Sequence, residues 1–290
     1  MFSEIKIAAP AKVNIGLNVL PRRVDGFHNL ESIFQTVGLC DYITVTLLDE
    51  ENVCEVSCDT MELPADNTIT STYRAFCSLT GKKSGVKVAL EKHIPSGGGL
   101  GGGSSDGAFF LYALAQLTGV DLTDSLKDKV ASLVGSDVFF FLHGKKTGYK
   151  NSCAVVTGRG DVVKAIEPRK DLYFLLIFPE VHSSTKEAYE LVDNAYETGN
   201  TTSCPELTEY ELIYNKPVKE WTFANSFTSV LVKKYPVIGK ALQELKESGA
   251  VWSDMSGSGA TVFGVFDTKE TAEKAFSQLK INWNQCVLTQ

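Results

Sequence analysis

Six of the seven residues from Gly97 to Gly103 are glycine, with Leu100 the exception. Glycine in a regular element is about 1 kcal/mol less favourable than alanine, largely through backbone entropy. A run this dense therefore marks a backbone that must turn tightly and approach something closely. Pro95 precedes the run, and Ser104-Ser105-Asp106 follow it. Ala108, Leu111, Leu114, Ala115 and Leu117 then recur at helical spacing, with Gly119 as a stop signal. A helix that starts on glycines presents free N–H groups and the positive end of its dipole, which suits a polyphosphate. Ser104 and Ser105 can add hydroxyl donors or contact a phosphate-bound metal. A flexible linker is the competing reading. It fits poorly between a β-branched strand, Val86 to Leu90, and a well-patterned helix.

Other phosphate motifs compare badly. Gly97, Gly99 and Gly102 satisfy GxGxxG, but a glycine run satisfies almost any glycine pattern, and Pro95 interrupts the strand that should enter such a turn. No GxxxxGK[ST] occurs, and the HRD and DFG signatures are absent.

Around the loop the chain reads as a mixture of strands and helices. Expected strands are Ile5–Ala8, Val13–Leu20, Tyr42–Leu48 with Val53–Cys58 as its hairpin partner, Val86–Leu90, Leu172–Phe178 and Ala260–Phe266. Expected helices are Ile69–Leu79 capped by Asn67 or Thr68, Leu126–Val134, Thr185–Glu197 capped by Ser183 or Ser184, Val230–Tyr235, Gly239–Ser248 and Thr268–Leu279. The Gly158-Arg159-Gly160 turn offers a boundary near residue 160, giving domains over 1–160 and 161–290.

The 290 residues carry 28 Lys+Arg against 35 Asp+Glu, a net charge of −7, which argues against broad binding to nucleic acid or an anionic membrane. Seven cysteines form no CxxC pair and read as reduced thiols of a cytoplasmic protein. No secretory signal or membrane-spanning run is expected.

Two charged residues stand in apolar company. Lys12 lies in Ala9-Pro10-Ala11-Lys12-Val13-Asn14, between two short strand-like segments, and Asp137 immediately precedes Val138-Phe139-Phe140-Phe141. Each alone reads as a snorkelling lysine or a helix cap. Phosphoryl transfer to an alcohol, however, needs a phosphate cradle, Mg²⁺ and a carboxylate to take the hydroxyl proton, and an ammonium nearby stabilises the transferred charge.

Three segments resemble the three motifs of the GHMP kinase superfamily: Ala9–Asn14, Pro95–Ala108 and Ser256–Phe263. Arg22-Arg23-Val24-Asp25-Gly26-Phe27-His28-Asn29-Leu30, Gly135-Ser136-Asp137-Val138 and Val181-His182-Ser183-Ser184-Thr185 resemble one branch of it, whose substrate is a cytidyl-linked methylerythritol of the non-mevalonate isoprenoid route.

The resemblance implies an α/β (α+β) two-domain GHMP kinase fold with its site in a cleft between domains, using ATP and Mg²⁺. Lys12 and Asp137 would be the catalytic pair, Asp137 as base. Asn67 would lie near adenine, and Pro95, Gly97, Gly98, Gly99, Leu100, Gly101, Gly102, Gly103, Ser104 and Ser105 would hold ATP. Asn14, His28 and Thr185 would hold the substrate, with Phe27 and Tyr189 sandwiching its cytosine, a sensible use of two aromatic faces. The molecule would be a monomer or homodimer. Phe27 stands where the family has Tyr, and Phe139 where it has Pro. A non-catalytic nucleotide sensor and a homoserine- or mevalonate-type kinase are the rival readings.

Overall fold

The computed structural model describes residues 3–146 and 151–290. The chain divides into two compact units, each discontinuous in sequence: Met1–Ala11, Leu39–Ser96 and Gly101–Gly144 form the first, and Lys12–Gly38, Gly97–Leu100 and Lys145–Gln290 the second.

Two long strands open the chain, β1 (Glu4–Arg22) and β2 (His28–Glu51). The two short strands expected over residues 5–20 are thus one. Ala9, Ala11, Val13 and Ile15 are fully buried, and Pro10, Lys12, Asn14 and Gly16 on the opposite face are buried too, so burial on both sides carries the strand through Pro10 and Lys12.

In the first unit, β3 (Cys54–Cys58) is followed by helix α1 (Thr68–Thr80) and strand β4 (Ser84–Glu91). The expected hairpin between Tyr42–Leu48 and Val53–Cys58 does not form. β4 takes that place, antiparallel to β2 with Val45 opposite Val88, and β3 lies parallel on its far side. Burial explains the choice: Val86, Val88 and Leu90 are buried and match Ile43 and Val45, whereas the polar Glu55 and Ser57 of β3 suit an edge.

Asn67 caps α1 in a reciprocal box with Thr70, and Gly81 ends it at φ +70°. Helix α2 (Gly102–Thr118) follows the glycine run and ends at Gly119 as expected. Helix α3 (Asp124–Val134) leads into α4 (Ser136–His143). α4 absorbs the apolar run after Asp137, burying Val138, Phe140, Phe141 and Leu142.

In the second unit, β5 (Lys145–Lys146), β6 (Ser152–Thr157) and β7 (Val162–Ile166) form an antiparallel set, with β6 also pairing the Ser32–Gln35 stretch of β2. Gly158-Arg159-Gly160 is the turn between β6 and β7. A second, four-stranded sheet contains β8 (Tyr173–Ile177), β9 (Trp252–Met255), β10 (Val262–Phe266) and β11 (Cys286–Thr289), in the order β11-β8-β10-β9. Helices α5 (Thr185–Glu197), α6 (Tyr210–Tyr214), α7 (Ser226–Lys234), α8 (Pro236–Glu247) and α9 (Lys269–Leu279) complete this unit. Their apolar faces, among them Ala188, Phe227, Leu231, Ile238, Leu245 and Ala275, close a core with Leu175, Ile177, Val262 and Phe266. Among the described residues no helix is long and apolar enough to cross a membrane.

Candidate active site

Lys12 is only 3% exposed, so its ammonium needs partners. It donates to Asn14 Oδ1 at 2.7 Å and to the Gly99 carbonyl at 3.0 Å, and it lies 4.6 Å from the centre of the Phe34 ring. Asn14 is itself buried and donates through Nδ2 to Ser32 Oγ. Ser256, fully buried, donates to both Asn14 Oδ1 and the Gly99 carbonyl. The strand brings Lys12 and Asn14 to one face by their i, i+2 spacing. The backbone closes the arrangement, because the Lys12 N–H donates to the Leu100 carbonyl. Lys12, Asn14, Gly99 and Leu100 are therefore brought together, with Ser256 as a member that sequence reasoning did not single out.

Gly99 has a demanding position. Its φ is +78°, and a Cβ there would lie 2.0 Å from the Ser256 carbonyl oxygen. Gly99→Ala should therefore lower the melting temperature and impair nucleotide binding. Gly81→Ala has the same sign of φ but open space around it, and should cost only about 1–2 kcal/mol. Parallel thermal melts of the two variants check this, with a clearly larger loss expected at Gly99.

The start of α2 is held differently. Gly101 caps it at φ +68° with no side-chain cap, and no acidic residue lies in the first turn. The first N–H groups thus receive no side-chain cap, and helix starts of this kind suit anions. Ser104 is half-buried and Gly103 exposed, whereas the Ser105 hydroxyl is buried and donates to the Pro10 carbonyl at 2.7 Å. Asn67 spends its side chain on the α1 cap, accepting from Ile69 and Thr70 and donating to the Pro64 carbonyl. Pro95 is half-buried. Asp137 lies in the first turn of α4, half-buried, at a helix start with no side-chain cap.

Beneath the start of α2 lies a buried triad. Lys92 bridges Asp41 Oδ2 at 2.5 Å and Asp106 Oδ2 at 2.9 Å. Asp41 also accepts from the His93 and Ile94 N–H groups. Burial lifts the Asp106 carboxyl to about 7, with Lys92 pulling it down and Asp41 pushing it up. Burial works against the Lys92 ammonium, but the two carboxylates outweigh it and raise its pKa. A Cβ on Gly102 would meet Ile94 at 2.9 Å and Lys92 Nζ at 3.3 Å, so the triad sits directly against the first residue of α2.

The remaining predicted residues lie in the second unit. His28 is buried, donates from Nδ1 to the Leu20 carbonyl, and has Nε2 3.4 Å from Asp193. Tyr189 stacks on His28 with ring centres 4.9 Å apart. Phe27 is 49% exposed and its ring carries the Arg159 guanidinium at 3.7 Å. Thr185, at the start of α5, shares a hydrogen bond with Ser258 at 3.0 Å.

Asp254 is a further buried acid that the sequence did not single out. It accepts from the Asn225 and Met255 N–H groups and from Thr228 Oγ1. Asn225 in turn donates to the Met255 and Gly257 carbonyls, fixing the turn after β9. Burial pushes the Asp254 carboxyl up to about 6, against those hydrogen bonds. A carboxyl raised above its unfolded value binds more protons in the folded state. Its contribution to stability therefore falls as pH rises from about 4 to about 6. The stability difference between the native chain and Asp254→Asn should shift over that window in favour of the variant, by roughly 3 kcal/mol, and stay flat above it. Urea denaturation at several pH values measures this.

Comparisons with known proteins agree with one another. The GHMP kinases N terminal domain matches residues 67–145, and the GHMP kinases C terminal domain matches residues 215–285. A 4-diphosphocytidyl-2-C-methyl-D-erythritol kinase of Treponema pallidum is 37% identical over 98% of this chain and 97% of its own length. The enzyme of that name from Thermotoga maritima is 38% identical over 90% of this chain and 92% of its own. A crystal structure of 4-(cytidine 5'-diphospho)-2C-methyl-D-erythritol kinase superposes with a TM-score of 0.76 at 27% identity, covering 98% of both chains. A homoserine kinase from Cytophaga hutchinsonii superposes with a TM-score of 0.74 at 19% identity, over 100% of this chain and 95% of its own, which shows the shared fold. With a buried lysine against a glycine loop, an uncapped helix start after it and full-length relatives of one name, this chain belongs to the GHMP kinases, in the family of the 4-diphosphocytidyl-2-C-methyl-D-erythritol kinases.

Proposed function

We propose that this kinase transfers the terminal phosphate of ATP to the 2-hydroxyl of 4-diphosphocytidyl-2-C-methyl-D-erythritol, a step of non-mevalonate isoprenoid precursor synthesis. The observation that carries the chemistry is the buried Lys12 ammonium bonded to the Gly99 carbonyl within the glycine run. A fixed positive charge at the edge of a phosphate-binding backbone stabilises negative charge on a group in transfer.

In this reading the N–H groups at the start of α2 receive the polyphosphate, and Pro95 with Gly97 to Ser104 shapes its path. Asn67 lies near adenine as the cap of α1, with its side chain already engaged. Ser105 acts through its backbone position, because its hydroxyl is committed to Pro10. Asp137 takes the proton from the substrate hydroxyl, and Lys12 steadies the transferred phosphoryl group. Asn14 and Thr185 orient the methylerythritol part. His28 reads the polar edge of cytosine, and Tyr189 and Phe27 supply aromatic faces.

No cluster of three or more His, Cys, Asp or Glu able to hold a metal occurs among the described residues. Ser104, a half-buried hydroxyl in the first turn of α2, is the protein group that would neighbour an Mg²⁺ carried mainly by phosphate oxygens and water. When bound with ATP, such an ion supplies charge neutralisation on the β- and γ-phosphates.

Turnover of ATP with a small panel of alcohols tests the proposal. The cytidyl-linked methylerythritol should exceed homoserine and mevalonate by at least about 10³-fold in kcat/KM, because buried polar groups left unpaired reject the wrong acceptor strongly. Equal or better turnover of homoserine or mevalonate would overturn it.

A further inference from the structure

The β6–β7 turn is rigid in its backbone and free in one side chain. The Leu30 N–H donates to the Gly158 carbonyl, the Arg159 N–H to Asp161 Oδ1, and the Gly160 N–H to the Thr157 carbonyl. The Arg159 guanidinium, by contrast, forms no hydrogen bond or ion pair among the described residues. The nearby Asp25 carboxylate is already held by the Phe27 N–H and by Arg23 at 2.8 Å, and Arg159 acts on it only at longer range. Arg159 rests instead on the exposed face of Phe27, beside the buried His28 that stacks on Tyr189.

We infer that Arg159 is a specificity-determining residue that binds the diphosphate of the cytidyl substrate. The inference rests on the cytidine reading of Phe27, His28 and Tyr189. Its physical basis is an exchange. A guanidinium on an exposed aromatic face is worth about 0.5–1 kcal/mol, whereas a stacked base is worth about 1–3 kcal/mol. The base therefore displaces the guanidinium from Phe27. The long side chain, still anchored by its turn, then meets the two phosphates attached to the nucleoside. A guanidinium presents a fork of donors that matches phosphate oxygens two at a time.

Calorimetric titration of the full chain with cytidine, CMP and CDP tests this, in the native protein, Arg159→Ala and Phe27→Ala. The native chain should bind CDP at least about 10-fold more tightly than cytidine, the range expected for a hydrogen bond to a charged group. Arg159→Ala should bring the two affinities within about 2-fold, with cytidine itself bound about 2–5-fold more tightly because no guanidinium has to leave the Phe27 face. Phe27→Ala should weaken all three nucleotides together, since it removes the stack they share. An unchanged CDP preference in Arg159→Ala, or an equal loss of cytidine affinity, would overturn the inference and leave the cytidine reading standing. Failure of the native chain to bind any of the three ligands would remove both.

Discussion

Asp137→Asn should lower kcat by about 10²–10⁴-fold, the range expected when a general base is lost, while ATP binding stays within about 3-fold of the native value. The substitution keeps the size and the helix-start position of the side chain in α4 and removes only its capacity to take a proton. Single-turnover phosphate transfer and equilibrium ATP titration separate the two quantities. Lys12→Met should show a loss of similar size, and the double variant should lose little more than either single one. Groups that act on one transition state are non-additive. Additive losses would mean that the two residues serve different steps. Retained turnover in Asp137→Asn would instead show that Asp137 is not the base, whereas a native chain that binds ATP and transfers no phosphate would favour the sensor reading of the fold.

The second large effect is on stability. Lys92→Met should destabilise the protein by about 3–5 kcal/mol, measured as a shift in denaturant midpoint. Lys92, Asp41 and Asp106 are nearly inaccessible to solvent, and removing the cation leaves two carboxyls facing each other. Adding Asp106→Leu to Lys92→Met should recover part of the loss, because a buried ionic group replaced by apolar side chains is often tolerated. A shift below about 1 kcal/mol in the single variant would show that the triad contributes little. Among the described residues Asp106 Oδ1 has no hydrogen-bond partner, so the intact triad already carries the desolvation cost of one buried acceptor.

What the sequence made legible was local. A cap at residue 67 or 68 announces α1 and one at 183 or 184 announces α5, since a cap bonds within three residues of itself; the structure places them at Asn67 and Ser184, and Gly119 stops α2 as the glycine after its last turn. The glycine run and the helix after it could be read together, since both follow from backbone freedom at consecutive positions. Partners distant in sequence were not legible. β3 looked like the hairpin mate of β2, yet β4 holds that place by matching Val86 and Val88 to the apolar face of β2, a comparison no short window contains. Pro10 and Lys12 looked like a break between two strands, yet burial on both faces carries β1 through them.

The candidate site divides in the same way. The Lys12, Asn14 and glycine segments carried their own signal in the motifs. Ser256 lay within a quoted motif but gave no sign that its hydroxyl would bond Asn14 and Gly99. The Lys92 triad joins residues 51 and 14 positions apart, so only the folded chain reveals it. The one readable hint was Asp106, an acid set between small residues and an apolar helix face, where a charge needs a partner.

Phosphate transfer itself gives the most direct test of the account. The native chain, supplied with ATP labelled in its γ-phosphate and the cytidyl-linked methylerythritol, should convert label into a new phosphomonoester on the 2-hydroxyl with one ADP formed per product, and release almost none as free phosphate. Label appearing as inorganic phosphate, or on another acceptor while that alcohol is left unchanged, would contradict it.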